Sequence, residues 1–344
     1  EVSGGSVVPT LIRAGWKDNG PEPETEFDTV DCAGQCDPTS LNQTIQELAD
    51  AEDRAVVLLE YSGYGYARRG APWWLVRGLQ QACDGSEIPL ITMFHELYAT
   101  GPPWTSAFWL SPVQRYIAAR LARMSQAVVT NRAKSADWLR QYVASDTPVH
   151  VQPVFSNVGE PDEVLPYEGR DSYAVVFGGT GKNALYRQYG DQLAQVLELL
   201  RVPRLIDIGP EPDGDLLNAI GCENVDVRGF LAVKEIQSHL TSAKAGFVCR
   251  NPEALTKSGS LAAYAAYGVP TFIGLRDSAN ASQLWKEGVH YHALHRDVSE
   301  ENYSFDTEPS MHIGKSAHEL YKSSAHSNAA GQLFYQMISE VCGS

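Results

Sequence analysis

Residues 245–274 run AGFVCRNPEALTKSGSLAAYAAYGVPTFIG, and their reading decides the fold. AGFVC (245–249) and PTFIG (270–274) are short, largely apolar runs bounded by turn residues, the pattern of buried strands. Between them LAAYAAYG (261–268) is apolar and alanine-rich, and Gly268 followed by Pro270 closes it as glycine and proline close helices. Strand, helix and strand in that order make a βαβ unit. Its strands lie parallel because a helix, not a tight turn, connects them.

The alternation extends in both directions. YAVVFGG (173–179), RLIDIG (204–209) and VDVRGF (225–230) predict the rest of one parallel sheet, with a helix near 184–199. Further upstream, AVVLLEY (55–61), PLITMF (89–94) and AVVT (127–130) predict a second sheet, with helices near 41–52, 72–83, 112–124 and 133–143. The segment QPVFSNVGE (152–160) and the acidic, proline-containing residues after it have no sustained period and predict a connector. A chain of 344 residues has room for two α/β units. The predicted boundaries are 1–155, 156–325 and 326–344. In the last, Leu333, Phe334, Met337, Ile338 and Val341 recur at helical spacing and need a surface to cover.

With 43% hydrophobic and 20% charged residues the composition is that of a soluble globular chain, and no apolar run approaches the roughly 18–20 residues that cross a bilayer. Lys and Arg number 27 against 42 Asp and Glu, a net charge of −15 that repels polyanions and argues against nucleic acid as a partner. The exception is local. From Leu97 to Ala136 there is no acidic residue, while Arg115, Arg120, Arg123, Arg132 and Lys134 all fall there. This is either a solvated helix face or a basic patch, spanning 115–134, for anionic lipid headgroups or a phosphorylated acceptor. Of six cysteines only Cys32 and Cys36 are close in sequence, which reads as ordinary thiols of a reducing compartment. The first residues carry no secretory signal, so the expected location is the cytoplasm, with the inner face of the membrane as an option. His290, His292 and His295 lack a carboxylate or cysteine to complete a ligand set, and no metal is assigned.

The stretches HELYATGPPWTSAFWLSPVQRYIAARLARMSQAVVTN (95–131) and YSGYGYARRGAPWWL (61–75) resemble the amino-terminal domain of bacterial family 4-type GT-B glycosyltransferases. GFLAVKEIQSHLTSAKAGFV (229–248), followed by LAAYAAYGVPTF (261–272), is similar to the donor-domain signature of that class. The resemblance implies an α/β protein of GT-B architecture, with two facing Rossmann-like domains, parallel sheets and a carboxyl-terminal helix crossing back to the first domain. It also implies a reaction centre in the cleft between the domains, a nucleoside diphosphate sugar as donor, held chiefly by the second domain, and no cofactor. Two departures stand out. Aligning on Gly268–Pro270 puts Ala254 and Ala262 where the family often carries two glutamates, with Glu253 one place out of register. At the start, EVSGG resembles the glycine-rich loop after the family's first strand without that strand, and the next strand and helix look compressed into residues 6–31.

Sugar transfer needs a stabilised leaving diphosphate, which helix amino termini and backbone amides supply without a metal. FGGTGKN (177–183) lies between a strand and a helix. Gly178, Gly179, Thr180 and Gly181 let backbone approach phosphate, and Lys182 and Arg187 add charge, although glycines also follow strands for steric reasons alone. TKSGS (256–260) opens the helix of the first-quoted stretch. Lys257, Ser258, Gly259 and Ser260 read as a second diphosphate clamp or as ordinary helix capping. The resemblance implies that His95, at the carboxyl edge of the first sheet, contacts the transferred sugar; a structural bond to a carbonyl is its other reading. Glu96 divides between acceptor contact and helix-start duty. For the acceptor, Gly4 and Gly5 and an aromatic wall at Trp104 are the candidates, the same aromatics being equally suited to closing a core. Asp213, Gly214 and Asp215 spell the two-aspartate metal motif of the other major glycosyltransferase fold but precede a short helix, DLLNAIG, where capping accounts for them.

The predicted function is transfer of a sugar to an unidentified acceptor in polysaccharide, glycolipid or glycoconjugate synthesis, the resemblance implying retention of anomeric configuration. The alternatives are a catalytically silent GT-B-like binding protein and a sugar-nucleotide epimerase of the same fold.

Overall fold

The computed structural model describes residues 7–17, 26–220, 225–276, 282, 284–294 and 307–343. It divides into two compact units, Glu1–Val151 with Gly331–Ser344, and Gln152–Ala330.

In the first unit β1 (Thr10–Gly15) and β2 (Asp28–Ala33) form a parallel pair, then α1 (Pro38–Asp50) leads to a four-stranded parallel sheet. That sheet comprises β3 (Val57–Tyr61), β4 (Leu90–Phe94), β5 (Ala127–Thr130) and β6 (Val149–Val151), in spatial order β3-β4-β5-β6. Between its strands run the short α2 (Gly63–Tyr66), α3 (Trp73–Cys83), α4 (Ser106–Met124) and α5 (Ala133–Leu139). Every residue of β4 is buried. Because successive side chains point to opposite faces, Leu90 and Phe94 join Leu75, Leu79, Ile117 and Leu121 of α3 and α4, while Ile91 and Met93 face the other way. That second face, with Ala127 and Val129, is covered by Leu333, Phe334, Met337, Ile338 and Val341 of α10 (Ser327–Cys342).

The second unit is a six-stranded parallel sheet in the order β12-β11-β10-β7-β8-β9. Its strands are β7 (Asp171–Phe177), β8 (Arg204–Ile208), β9 (Val225–Gly229), β10 (Ala243–Arg250), β11 (Thr271–Leu275) and β12 (His292–Ala293). Its helices are α6 (Asn183–Leu199), α7 (Val233–Ser242), α8 (Gly259–Ala266) and α9 (Thr307–Ser324). All eight residues of α8 except Gly259 are buried, as its unbroken apolar sequence requires of a helix with no wet face.

Several elements differ from the sequence reading. The helix expected near 112–124 starts at Ser106 and passes through Pro112, whose exposed position lets the missing hydrogen bond fall on the solvent side. The region 6–31 contains the β1 strand and most of β2; its residues 6 and 18–25 lie outside the described ones. The segment 152–160 is not a free connector. Gln152, Pro153, Ser156 and Val158 are buried, Ser156 N donates to the Tyr321 hydroxyl at 2.9 Å, and Glu160 accepts from Ser327 N at 2.9 Å. Composition conceals this because the segment is held by hydrogen bonds to groups far along the chain. The α9 helix was also unmarked, its sequence carrying Pro309 and Gly314, yet Ile313, Ala317 and Tyr321 bury one face. A Cβ on Gly314 would lie 2.5 Å from the Gly268 carbonyl oxygen, so only glycine lets α9 back this closely onto the turn after α8. Cys32 Sγ lies 3.7 Å from Thr44 Oγ1, and the Cys36 thiol donates to the Gly15 carbonyl at 3.6 Å.

Candidate functional site

In the second unit the chain adds β8 and β9 on one side of β7, then β10 and β11 on the other. The crevice at the carboxyl ends of β7 and β10 is therefore the switch point of the sheet, where open α/β folds take ligands because adjoining loops leave in opposite directions. A cavity of about 320 Å³ lies there. Gly178 and Gly179 after β7, Gly209 after β8, Arg250 at the end of β10, and Gly259 and Ser260 in the first turn of α8 make its polar wall.

Local sequence explains the wall. A Cβ on Gly209, whose φ is +120°, would stand 2.0 Å from the Gly178 carbonyl oxygen, and one on Gly178 would stand 2.9 Å from Ser260 Oγ. Glycine at both places brings three backbone segments together. Ser258 caps α8, its hydroxyl accepting from Leu261 N at 3.3 Å. The amides of Gly259 and Ser260 have no carbonyl within the helix to bond, and they sit at the positive end of its dipole. Arg250 supplies full charge. Burial, then the neighbouring Arg276, pushes its pKa down, and among the described residues no carboxylate pairs with it. A Cβ on Gly181 would lie 3.1 Å from Arg250 Nη1, and Arg276 Nη2 donates to the Gly181 carbonyl at 3.3 Å, so two guanidinium groups border the glycine-rich loop.

The other sequence candidates of this unit stand differently from their expected roles. Lys182 is buried, and its ammonium is bonded to Asp207, a fully buried carboxylate of β8 that also accepts from the Tyr186 hydroxyl. Burial, then Asp207, raises the Tyr186 pKa well above its ordinary value. Lys182 thus fastens the loop to the sheet and is enclosed. Thr180 is exposed in the short 3-10 turn Thr180–Lys182, and Arg187 pairs at 3.7 Å with Asp213 on the surface. Ser258 spends its hydroxyl on the cap, and Lys257 ends the 3-10 turn Pro252–Lys257 without lining the cavity. At the β12 edge of the sheet the His292 ring is half-buried and stacks on Phe272 at 5.1 Å, and His290 Nδ1 accepts from Lys286 N; His295 lies outside the described residues.

In the first unit His95 follows β4, its amide donating to the Tyr61 carbonyl at 3.0 Å. Its Nε2 stands 2.5 Å from Glu60 Oε2, and both side chains reach solvent. A carboxylate on one ring nitrogen fixes the orientation and tautomer of the ring and leaves Nδ1 for other work. Glu96 is exposed beside it, and Trp104, 83% exposed, stands in the turn before α4; Gly4 and Gly5 lie outside the described residues.

The sequence reading missed Arg250, Gly209 and Glu60. Each had a positional signal. Arg250 and Gly209 are the first residues past apolar cores of strands, and Glu60 is the one charge in AVVLLEY.

No protein-family profile matches the chain, and no curated protein matches its sequence. Solved structures do match. An alpha-glucosyltransferase in complex with UDP is 12% identical and superposes with a TM-score of 0.57 over 96% of this chain and 91% of that one. Sucrose-phosphate synthase from Thermosynechococcus elongatus is 14% identical, with a TM-score of 0.59 over 96% and 89%. The pneumococcal O-GlcNAc transferase GtfA, in complex with UDP and GlcNAc, is 10% identical, with a TM-score of 0.53 over 88% and 60%. The chain has the GT-B fold. At these identities the likeness speaks for the fold.

Proposed function

We propose that the protein is a glycosyltransferase that moves a sugar from a nucleoside diphosphate sugar to an acceptor hydroxyl, with retention of anomeric configuration. The observation that carries this reading is the cavity at the β7–β10 switch point, which gathers glycine backbone, the amino terminus of α8 and the uncompensated Arg250. Such a wall suits a diphosphate. Backbone amides and a helix dipole neutralise it as the bond from the anomeric carbon to the diphosphate oxygen breaks, and they need no reorganisation to do so. Phe230, exposed at the cavity rim, offers a ring face to the base. Neighbours of the same fold were solved with UDP, so UDP is the first nucleotide to try. In the first unit His95, oriented by Glu60, is the group we assign to the transfer step.

Calorimetric titration with a panel of nucleoside diphosphate sugars, followed by an assay for released nucleoside diphosphate, tests the reading. One donor should bind and be turned over in the presence of an acceptor extract. Binding without release would favour a silent binding protein. Release of no diphosphate but interconversion of the sugar would identify an epimerase.

A further inference from the structure

The first unit carries a surface of which only Trp104 entered the candidates above. Residues 61–83 and 97–124 contain six arginines and no Asp or Glu, in a chain of net charge −15. The same segments expose Trp73, Trp104, Phe108, Trp109 and Tyr116, with Trp104 83% and Trp109 71% accessible. The rings and the arginines are arranged together. Trp73, at the start of α3, packs on Tyr116 of α4 with centroids 5.5 Å apart, so the two helices lie side by side. One turn later on each helix come Arg77 and Arg120, and Arg120 Nη2 donates to Gln80 Oε1 at 3.2 Å. Towards the amino end of α4, Phe108 and Trp109 meet edge to face at 5.4 Å, and Trp104 stands just before them. Gln114 Nε2 holds the Arg69 carbonyl at 3.0 Å, which brings the loop with exposed Arg68 and Arg69 alongside α4.

A cluster of exposed tryptophans is unusual on a surface that faces only water. Indole and phenol rings, apolar with a polar edge, favour the headgroup level of a bilayer, and arginines one turn away favour anionic lipid there. Among the described residues no helix is long and apolar enough to cross a membrane, so attachment through this face is peripheral. We propose that the face formed by the start of α3 and the exposed side of α4 from Phe108 to Tyr116 docks on an anionic lipid bilayer, with Trp104, Phe108 and Trp109 entering the headgroup region and the arginines meeting lipid phosphates. Charge complementarity selects this occupant, since the acid-free segments stand out in an acidic chain. The proposal does not rest on the transferase reading.

The test mixes the full chain with phosphatidylcholine vesicles, with or without phosphatidylglycerol, and measures co-sedimentation and tryptophan fluorescence. The protein should sediment with the anionic vesicles and its emission should shift to the blue, with high salt weakening the effect. Trp104→Ser/Trp109→Ser should lower the affinity by at least about tenfold, and Arg69→Gln/Arg77→Gln should remove most of the preference for anionic lipid. These side chains are exposed, and an unchanged melting temperature and circular dichroism spectrum will show that each variant is folded. No sedimentation with either vesicle, undiminished binding by the tryptophan variant, or tighter binding to duplex DNA than to anionic vesicles would each overturn the proposal.

Discussion

Lys182 follows a glycine-rich loop, a position from which lysines reach phosphate, yet its ammonium is enclosed with Asp207 while Arg250 faces the cavity from the end of β10. A buried, paired lysine cannot turn to a ligand without stranding its partner's charge, which costs about 3–5 kcal/mol. Arg250 has no such partner among the described residues, and an anion beside it would offset the repulsion from Arg276. Arg250→Ala should therefore weaken UDP binding by about 1.5–3 kcal/mol, the scale of charge-assisted hydrogen bonds, and weaken uridine binding far less. Lys257→Ala should cost clearly less for UDP; an equal or greater loss would return the clamp to the 256–260 turn. In the first unit, if Glu60 acts by orienting His95, the two substitutions should not add. His95→Ala should lower turnover by about 10²–10⁴-fold with UDP affinity intact, because the cavity proposed for the nucleotide is built from the second unit alone. Glu60→Gln should lower turnover less, and the double variant should match His95→Ala. Additive losses would give Glu60 an independent role.

At the scale of elements, strands were the most legible feature. PLITMF and AVVT are apolar except for Thr92 and Thr130, because helices cover both faces of a parallel sheet, and the structure buries every residue of β4 and β5. What the sequence concealed depends on partners distant in the chain. Segment 152–160 is ordered by Tyr321 and Ser327, and α9 by the core it joins through Ala317 and Tyr321. The clamp was half legible for the same reason. Glycines announce close approach, but which cation stands at the cavity depends on the strand beside the loop. The short β12 yields a pH prediction. Burial pushes the His292 pKa down to about 4, against about 6.5 in an unfolded chain. Between those values the unfolded state binds more protons, so stability is whole above about pH 6.5 and falls by up to about 3 kcal/mol as pH drops towards 4. Burial shifts His239 and His290 in the same direction. Urea midpoints at pH 7 and about 4.5 should show this loss, and His292→Phe, which keeps a ring against Phe272, should reduce it. An undiminished loss in that variant would place the titration elsewhere.

For the whole molecule, the chain's last residues belong to the unit formed by its first. Gly331–Ser344 cluster with Glu1–Val151, and the buried Met337 sits among Ile91, Met93, Ala127 and Val129. One face of the first sheet therefore depends on α10 for its cover, and Arg54 Nη1 holds the end of that helix through the Cys342 carbonyl at 3.0 Å. The second unit lines the switch-point cavity with residues of its own, from Asn157 to Ser260. Stability of the first unit and nucleotide affinity of the second should then respond separately. Met337→Ala removes a fully enclosed side chain and should lower stability by about 2–5 kcal/mol, the usual range for such a cavity. The same variant should bind UDP within about twofold of the parent at temperatures where it remains folded, a shift below the about 1.4 kcal/mol that marks a tenfold change. Saturating UDP should in turn raise the melting transition of the second unit by linkage and leave the Met337→Ala loss in the first uncorrected. Scanning calorimetry with and without UDP reads both effects. If UDP restored the stability lost at Met337, the two cores would be unfolding as one, and the terminal helix would bear on nucleotide binding as well as on the sheet it covers.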